Sequence, residues 1–292
     1  MRRLLIVGCG DVGARVLALV AAQRRVLAMV RSPERRHLVR TLGGIPVGGD
    51  LDRPESLTRL AGLAEDVVHM APPPQHGERD TRTRHLIHAL SARARLPQRL
   101  VYMSTTGVYG DCGGDWVDET RTTRPESSRA VRRVDAERQL REWGRATGVR
   151  VMILRVPGIY ADDRLPLDRL RAGAPVLEAG ADPFTNHVHA DDLARIVVAA
   201  LERGRAGRVY HATDDSCLRM GEYFDRVAAR FGLPAPPRVP WSEAEQRLSP
   251  MTLSFMRESR RLRNGRLKRE LRFTFRHPTV DHALAALPAH MS

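Results

Sequence analysis

The sequence predicts an α/β protein, a doubly wound parallel sheet followed by a smaller C-terminal lobe. Three observations carry this. Short apolar runs bounded by turn residues alternate with amphipathic stretches as far as about residue 214, the pattern of parallel strands joined by crossover helices. A glycine-rich turn separates the first apolar run from the first helix. Beyond residue 214 the alternation gives way to one helix, a proline-rich connector and a basic stretch. At 292 residues the chain can bury one large core, and its 42% apolar and 28% charged content is that of an ordinary globular protein.

Each element can be justified in order. "LLIV" (4–7) is a buried strand, and the helix after it places Val12, Val16, Leu19 and Val20 on one side. Between them Gly8, Gly10 and Gly13 have the GxGxxG spacing of a Rossmann-type nucleotide turn. Gly8 allows the tight turn, Gly10 lets backbone approach a pyrophosphate, and Gly13 allows close packing of helix on strand. Asp11 and Val12 open the helix whose N-terminus would receive the phosphates. A second strand ends at Val30. An acidic residue there would favour NAD; the chain has Arg31 and Ser32, with Arg35 and Arg36 following, so NADP is preferred over NAD. "GIPVGGDL" is a third strand, after which Asp50 and Leu51 reach the adenine edge, or Asp50 caps a helix ahead of Pro54. "DVVHMAPPP" is a fourth strand that stops at prolines and brings Ala71 to the cofactor.

The fifth strand, "RLVYMSTTGVYG" (99–110), is followed by "WVDET" and "RP"; further on come "LRVPGIY" (154–160), "NHVHADDLARIVVAAL" (186–201) and "ESRRLRNGRLKRELRF" (258–273). Together these resemble the extended short-chain dehydrogenase/reductases, in particular their NAD(P)-dependent epimerase/dehydratase-like branch. The resemblance implies a hydroxyl residue on the fifth strand, placed at Thr105, and a YxxxK pair on the next helix. It also implies that backbone around Pro157 approaches the nicotinamide. Counting back from Glu137 puts Arg129 at the tyrosine position and Arg133 at the lysine position. A guanidinium stays protonated at neutral pH, so it can polarise a carbonyl or clamp an anion but cannot cycle a proton. Thr105, Arg129 and Arg133 are therefore the candidate catalytic residues of an enzyme with altered chemistry. A non-catalytic NADP(H)-binding sensor or scaffold is the alternative.

As substitute acids, Tyr109, Tyr160, Asp118, Glu119, His187 and His189 are weaker candidates, the two tyrosines reading better as packing and Asp191 or Asp192 as helix caps. The expected domain division is 1–158, completed by 188–214, for the nucleotide and 159–187 with 215–292 for the substrate. "LPAPPRVP" reads as a stiff connector within the second.

Composition excludes several classes. Lys268 is the only lysine, and the charge of +14 comes from arginines spread among acids, not from a basic block, so no specific nucleic-acid partner is expected. Three distant cysteines, Cys9, Cys112 and Cys217, form neither a disulfide framework nor a zinc motif; no metal is expected, and a reducing cytoplasm fits best. The apolar start is five residues, too short for a signal core, and no run is long enough to span a membrane. The expected partner is a small-molecule substrate, with an anionic one expected from Arg129 and Arg133. The resemblance adds a helix-mediated homodimer.

Overall fold

The computed structural model describes residues 2–287. Seven parallel strands form the central sheet: β1 (Arg3–Val7), β2 (Arg25–Val30), β3 (Ile45–Gly48), β4 (Asp66–His69), β5 (Arg99–Thr105), β6 (Arg150–Val156) and β7 (Val209–His211). Their spatial order is β7-β6-β5-β4-β1-β2-β3. The order reverses beside β1, and this is where a doubly wound sheet opens a crevice at the carboxyl ends of its strands.

Helices cover both faces. α1 (Asp11–Val20) and α5 (Ala190–Arg203) pack on one face, in a cluster with Leu4, Ile6, Val16 and Ile196. α3 (Thr81–Ser91) and α4 (Ser128–Thr147) cover the other, with Leu5, Leu86, Tyr102 and Leu140. The short helix α2 (Pro33–Thr41) starts after Ser32, whose Oγ accepts from Arg35 N. The α1 face differs from its sequence reading at one position. Leu17 is buried, whereas Leu19 is 42% exposed: at 100° per residue the two lie equally far to either side of the Val16–Val20 line, and the buried arc extends on the Gly13 side, which includes Leu17.

A further apolar cluster joins Tyr160, Leu170, Val176 and residues of α6 (Met220–Arg230) with Val280 and Leu284. Two-residue ladders knit this region together. Arg238–Val239 pairs with Val176–Leu177, so the proline-rich stretch ends in a strand pairing, and Arg261–Leu262 pairs with Trp116–Val117. Asn186 clamps the C-terminal segment directly, its Nδ2 donating to Arg260 O and its Oδ1 accepting from Leu262 N.

Buried charge under the sheet is neutralised locally. Asp66, wholly buried, accepts two bonds of 2.7 Å from Arg99 and one of 2.8 Å from Arg24. Glu137 accepts from Arg155 at 3.1 and 2.7 Å and from the Ser104 hydroxyl at 2.6 Å. These bidentate pairs satisfy the carboxylates inside a low-dielectric interior, where an unpaired charge would be costly. No helix of the described residues is long and apolar enough to cross a membrane.

Candidate functional site

The glycine turn forms because the chain must reverse between β1 and α1 in a space that admits no side chain. Gly8 has φ +91°, and a Cβ there would stand 2.5 Å from Ala71 N. At Gly13 a Cβ would come within 3.0 Å of Gly8 O, so helix and strand approach as closely as the spacing suggests. Gly10 is different: a Cβ on it would meet nothing within 4 Å. That face opens on a cavity of about 470 Å³ lined by Gly8, Gly10, Asp11, Val12, Gly13, Arg31, Ser32, Asp50, Leu51 and Ala71, which brings the sequence-predicted nucleotide residues together.

At one end of this cavity Arg31 is exposed and stands 3.8 Å from Asp50. Arg35 also lines it, while Arg36 turns away over Gly48. Asp50 does not cap the following helical turn, whose N-cap residue is Arg53; its Oδ1 accepts instead from Asp52 N. Asp11 is held by Arg15 at 3.0 Å, and Arg15 continues to Asp191 at 2.6 Å and Asp163 at 3.2 Å. The start of α1 is thus fastened to α5 and to the loop after Tyr160.

A second cavity, of about 890 Å³, holds Thr105, Arg129, Arg133 and Pro157. The two cavities share Pro72, Ile159 and Arg164. Thr105 ends β5, and its Oγ1 accepts from Gly107 N at 3.3 Å. Arg133 donates to the Tyr102 hydroxyl at 3.0 Å and to Met103 O at 2.8 Å. Arg129 donates to Ser254 Oγ at 3.2 Å and stacks 3.8 Å over the Phe255 ring, and burial lowers its pKa. Neither position carries a phenol.

The weaker candidates divide. Tyr109 is buried, bonded to His211 Nε2 at 2.5 Å, with its pKa pushed up by burial to about 12, which fits packing better than proton transfer. Tyr160 lines the second cavity but its hydroxyl donates to Asp214 at 3.3 Å, and burial raises its pKa strongly. Asp214, buried with no cation beside it, is raised to about 7. His187 lines the same cavity, stacked on Tyr223 at 4.2 Å, and burial lowers its pKa to about 3. His189 is turned against His277, with ring centroids 3.9 Å apart. Its Nδ1 accepts from Asp191 N, so the histidine is the cap of α5 and not the aspartate. Asp192 instead accepts from the backbone of Arg276 and His277 and anchors that segment. Asp118 and Glu119 face a different, polar cavity.

Sequence reasoning missed Arg164, Arg169, Tyr223 and Glu258, all of which line the large cavity. No motif marks Arg169, one arginine among many. Glu258 does begin a stretch that carries the family resemblance.

The strand order, the glycine turn and the crevice define a Rossmann-type dinucleotide-binding protein. The profile of the NAD dependent epimerase/dehydratase family matches residues 4–213, and the chain belongs to that family. It is thereby an NAD(P)-dependent protein of oxidoreductase or epimerase-like type. Among curated relatives it is 29% identical over 252 residues to a Stigmatella aurantiaca 4-hydroxy-2-methyl-3-oxo-4-farnesyl-3,4-dihydroquinoline-1-oxide ketoreductase, covering 80% of this chain and 75% of the relative. It is 28% identical over 302 residues to a Streptomyces 3-diazoavenalumate denitrifying reductase, covering 95% and 97%. A solved protein of unknown function from Silicibacter pomeroyi superposes with a TM-score of 0.84 at 28% identity over 98% of both chains. A Bacillus cereus UDP-glucuronic acid 4-epimerase in complex with NAD shares the fold, with a TM-score of 0.75 at 17% identity, covering 96% of this chain and 95% of that one.

Proposed function

We propose that this protein is an NADP-preferring reductase of a small, oxygenated, anionic molecule, working without the tyrosine–lysine pair of its family. The observation that carries the reading is the junction of the two cavities at Pro72, Ile159 and Arg164, which puts the arginine-lined cleft next to the glycine turn. The space in front of Gly10 suits a pyrophosphate approaching the N-terminus of α1. Arg31 and Ser32 would hold the adenosine 2′-phosphate, Asp50 and Leu51 the adenine edge, and Ala71 and Pro157 the path towards the nicotinamide. The bound cofactor supplies hydride. Thr105 and Arg129 orient and polarise the substrate oxygen, Arg133 holds the end of β5 through Met103 O and Tyr102, and the proton arrives through water. Residues 1–158 with 188–214 would form the nucleotide domain, and 159–187 with 215–292 the substrate lobe, in a cytoplasmic protein that pairs through its helices.

Two relatives with reductase names support reduction over epimerisation. One observation favours the other reading, a non-catalytic NADP(H)-binding sensor or scaffold: Arg129 and Arg133 already spend donors on Ser254, Tyr102 and Met103. The test is the double change Arg129→Tyr with Arg133→Lys, with NADPH consumption followed across a carbonyl panel. Reduction that appears or rises would fit a protein lacking only the usual proton donor. An unchanged blank in both parent and variant, with NADPH bound, would favour the sensor.

A further inference from the structure

Arginine is common in this chain, so what singles one out is the lack of a counter-charge. Arg169 lies in the short helix Leu167–Arg171, where the acid Asp168 faces Arg171 at 3.6 Å. The Arg169 guanidinium carbon stands 4.6 Å over the Phe224 ring, and its Nη2 is shielded from solvent with no hydrogen-bond partner. Burial lowers its pKa, and no carboxylate acts to raise it. Among the described residues burial lowers three arginines, Arg129, Arg141 and Arg169; Glu258 acts to raise the first and Glu137 the second, and no carboxylate acts on Arg169. Arg141 has Glu137 at 3.9 Å; the other two both line the large cleft. The one acid lining that cleft, Glu258, is bonded to Arg260 at 2.7 Å. A guanidinium withdrawn from water without an anion is costly, and the cost is offset when a ligand brings the anion. The same cavity offers an apolar wall, with Met220 and Tyr223 beside Phe224.

We propose that the cleft takes an organic dianion, with one oxyanion group at Arg129, the second at Arg169 against Phe224, and an apolar body against Met220 and Tyr223. This rests on the reading of the cleft as a substrate site and names its substrate class. It also makes Arg169 a specificity-determining residue.

The test is calorimetric titration of the NADPH-loaded protein with linear dicarboxylates from succinate to sebacate, their monomethyl esters, and the matching ω-phosphonocarboxylates. One chain length should bind about tenfold or more tighter than its own ester, the size expected for one charge-assisted contact. The phosphonates tell carboxylate from phosphate-type recognition at the second group. Arg169→Met should abolish the advantage of diacid over ester and, without ligand, melt no lower than the parent. If Arg169 serves only to seat Phe224, the variant melts lower and keeps the advantage, and the proposal falls. It falls equally if no diacid outdoes its ester at any length. Should Arg169→Met not fold, Arg169→Gln carries the same comparison. If neither NADPH nor NADH binds, the reductase reading fails by itself, and the diacid titrations on the nucleotide-free protein still decide this one.

Discussion

The arginines beneath the sheet and those of the large cleft are chemically the same residue in opposite electrical situations. Arg99 and Arg155 are buried in bidentate contact with Asp66 and Glu137. Arg129 and Arg169 are withdrawn from water against aromatic rings, with a hydroxyl or nothing as partner. A formal charge of +14 is therefore not one property. It is the remainder of 48 cationic side chains over 34 acidic ones, and of those cations some are cancelled inside the fold while others are left unmatched at the place where a ligand would enter.

The contrast can be broken from either side. The largest effect is expected beneath the sheet. Arg155→Met leaves buried Glu137 with the Ser104 hydroxyl and the more distant Arg141 at 3.9 Å, and should cost about 3–5 kcal/mol in urea unfolding, as for other half-broken buried pairs. A loss below about 1 kcal/mol would mean that the pair is solvated and the contrast false. An intermediate effect is expected at the exposed Arg31. Arg31→Asp should leave stability alone while shifting the NADPH-over-NADH affinity ratio by about tenfold or more towards NADH, since a charge-assisted phosphate contact is replaced by repulsion. An unchanged ratio would remove Arg31 from the cofactor site.

A third case concerns Asp214, the converse of the buried pairs, a buried carboxylate that accepts from the Tyr160 hydroxyl and has no cation bonded to it among the described residues. Its folded pKa, about 7, lies above the ordinary carboxylate value, so folding favours the protonated form. That contribution is complete below about pH 4 and is lost as the pH rises through about 7. Asp214→Asn imitates the protonated acid. It should melt close to the parent near pH 4 and well above it at pH 8. Parallel melting curves at both values would show that Asp214 is ionised in the fold.

The sheet was legible because its signal is local. Each strand is a run of β-branched and aliphatic residues between breakers, and the GxGxxG turn works through backbone geometry that only glycine supplies, so the residues name their own task. Arg31, Asp50 and Ala71 follow because strand ends in a parallel sheet point to one crevice. The large cleft was legible where it borrows from those strands and from the helix that follows β5, at Thr105, Arg129, Arg133 and Pro157. Its remaining wall comes from residues 160–187 and 215–260, brought together by two-residue ladders and the Asn186 clamp. Contacts so short and so distant in sequence leave no periodicity to read. Arg169 illustrates the limit: its distinction is the absence of a neighbour, which no sequence pattern encodes. Leu19 shows a smaller failure, where an i, i+3 count alone did not locate the centre of the stripe.

The three residues common to both cavities give the two sites a shared wall. Arg164 reaches 3.8 Å from Asp11 at the glycine turn while also bordering the cleft of Arg129 and Arg169, so the occupants of the two sides would meet the same side chain. Linkage is reciprocal: whatever factor a cleft ligand imposes on nucleotide affinity, the nucleotide imposes on that ligand. If the proposed NADPH and cleft sites are linked, an NADPH titration repeated in a metabolite mixture would detect a cleft ligand without requiring turnover.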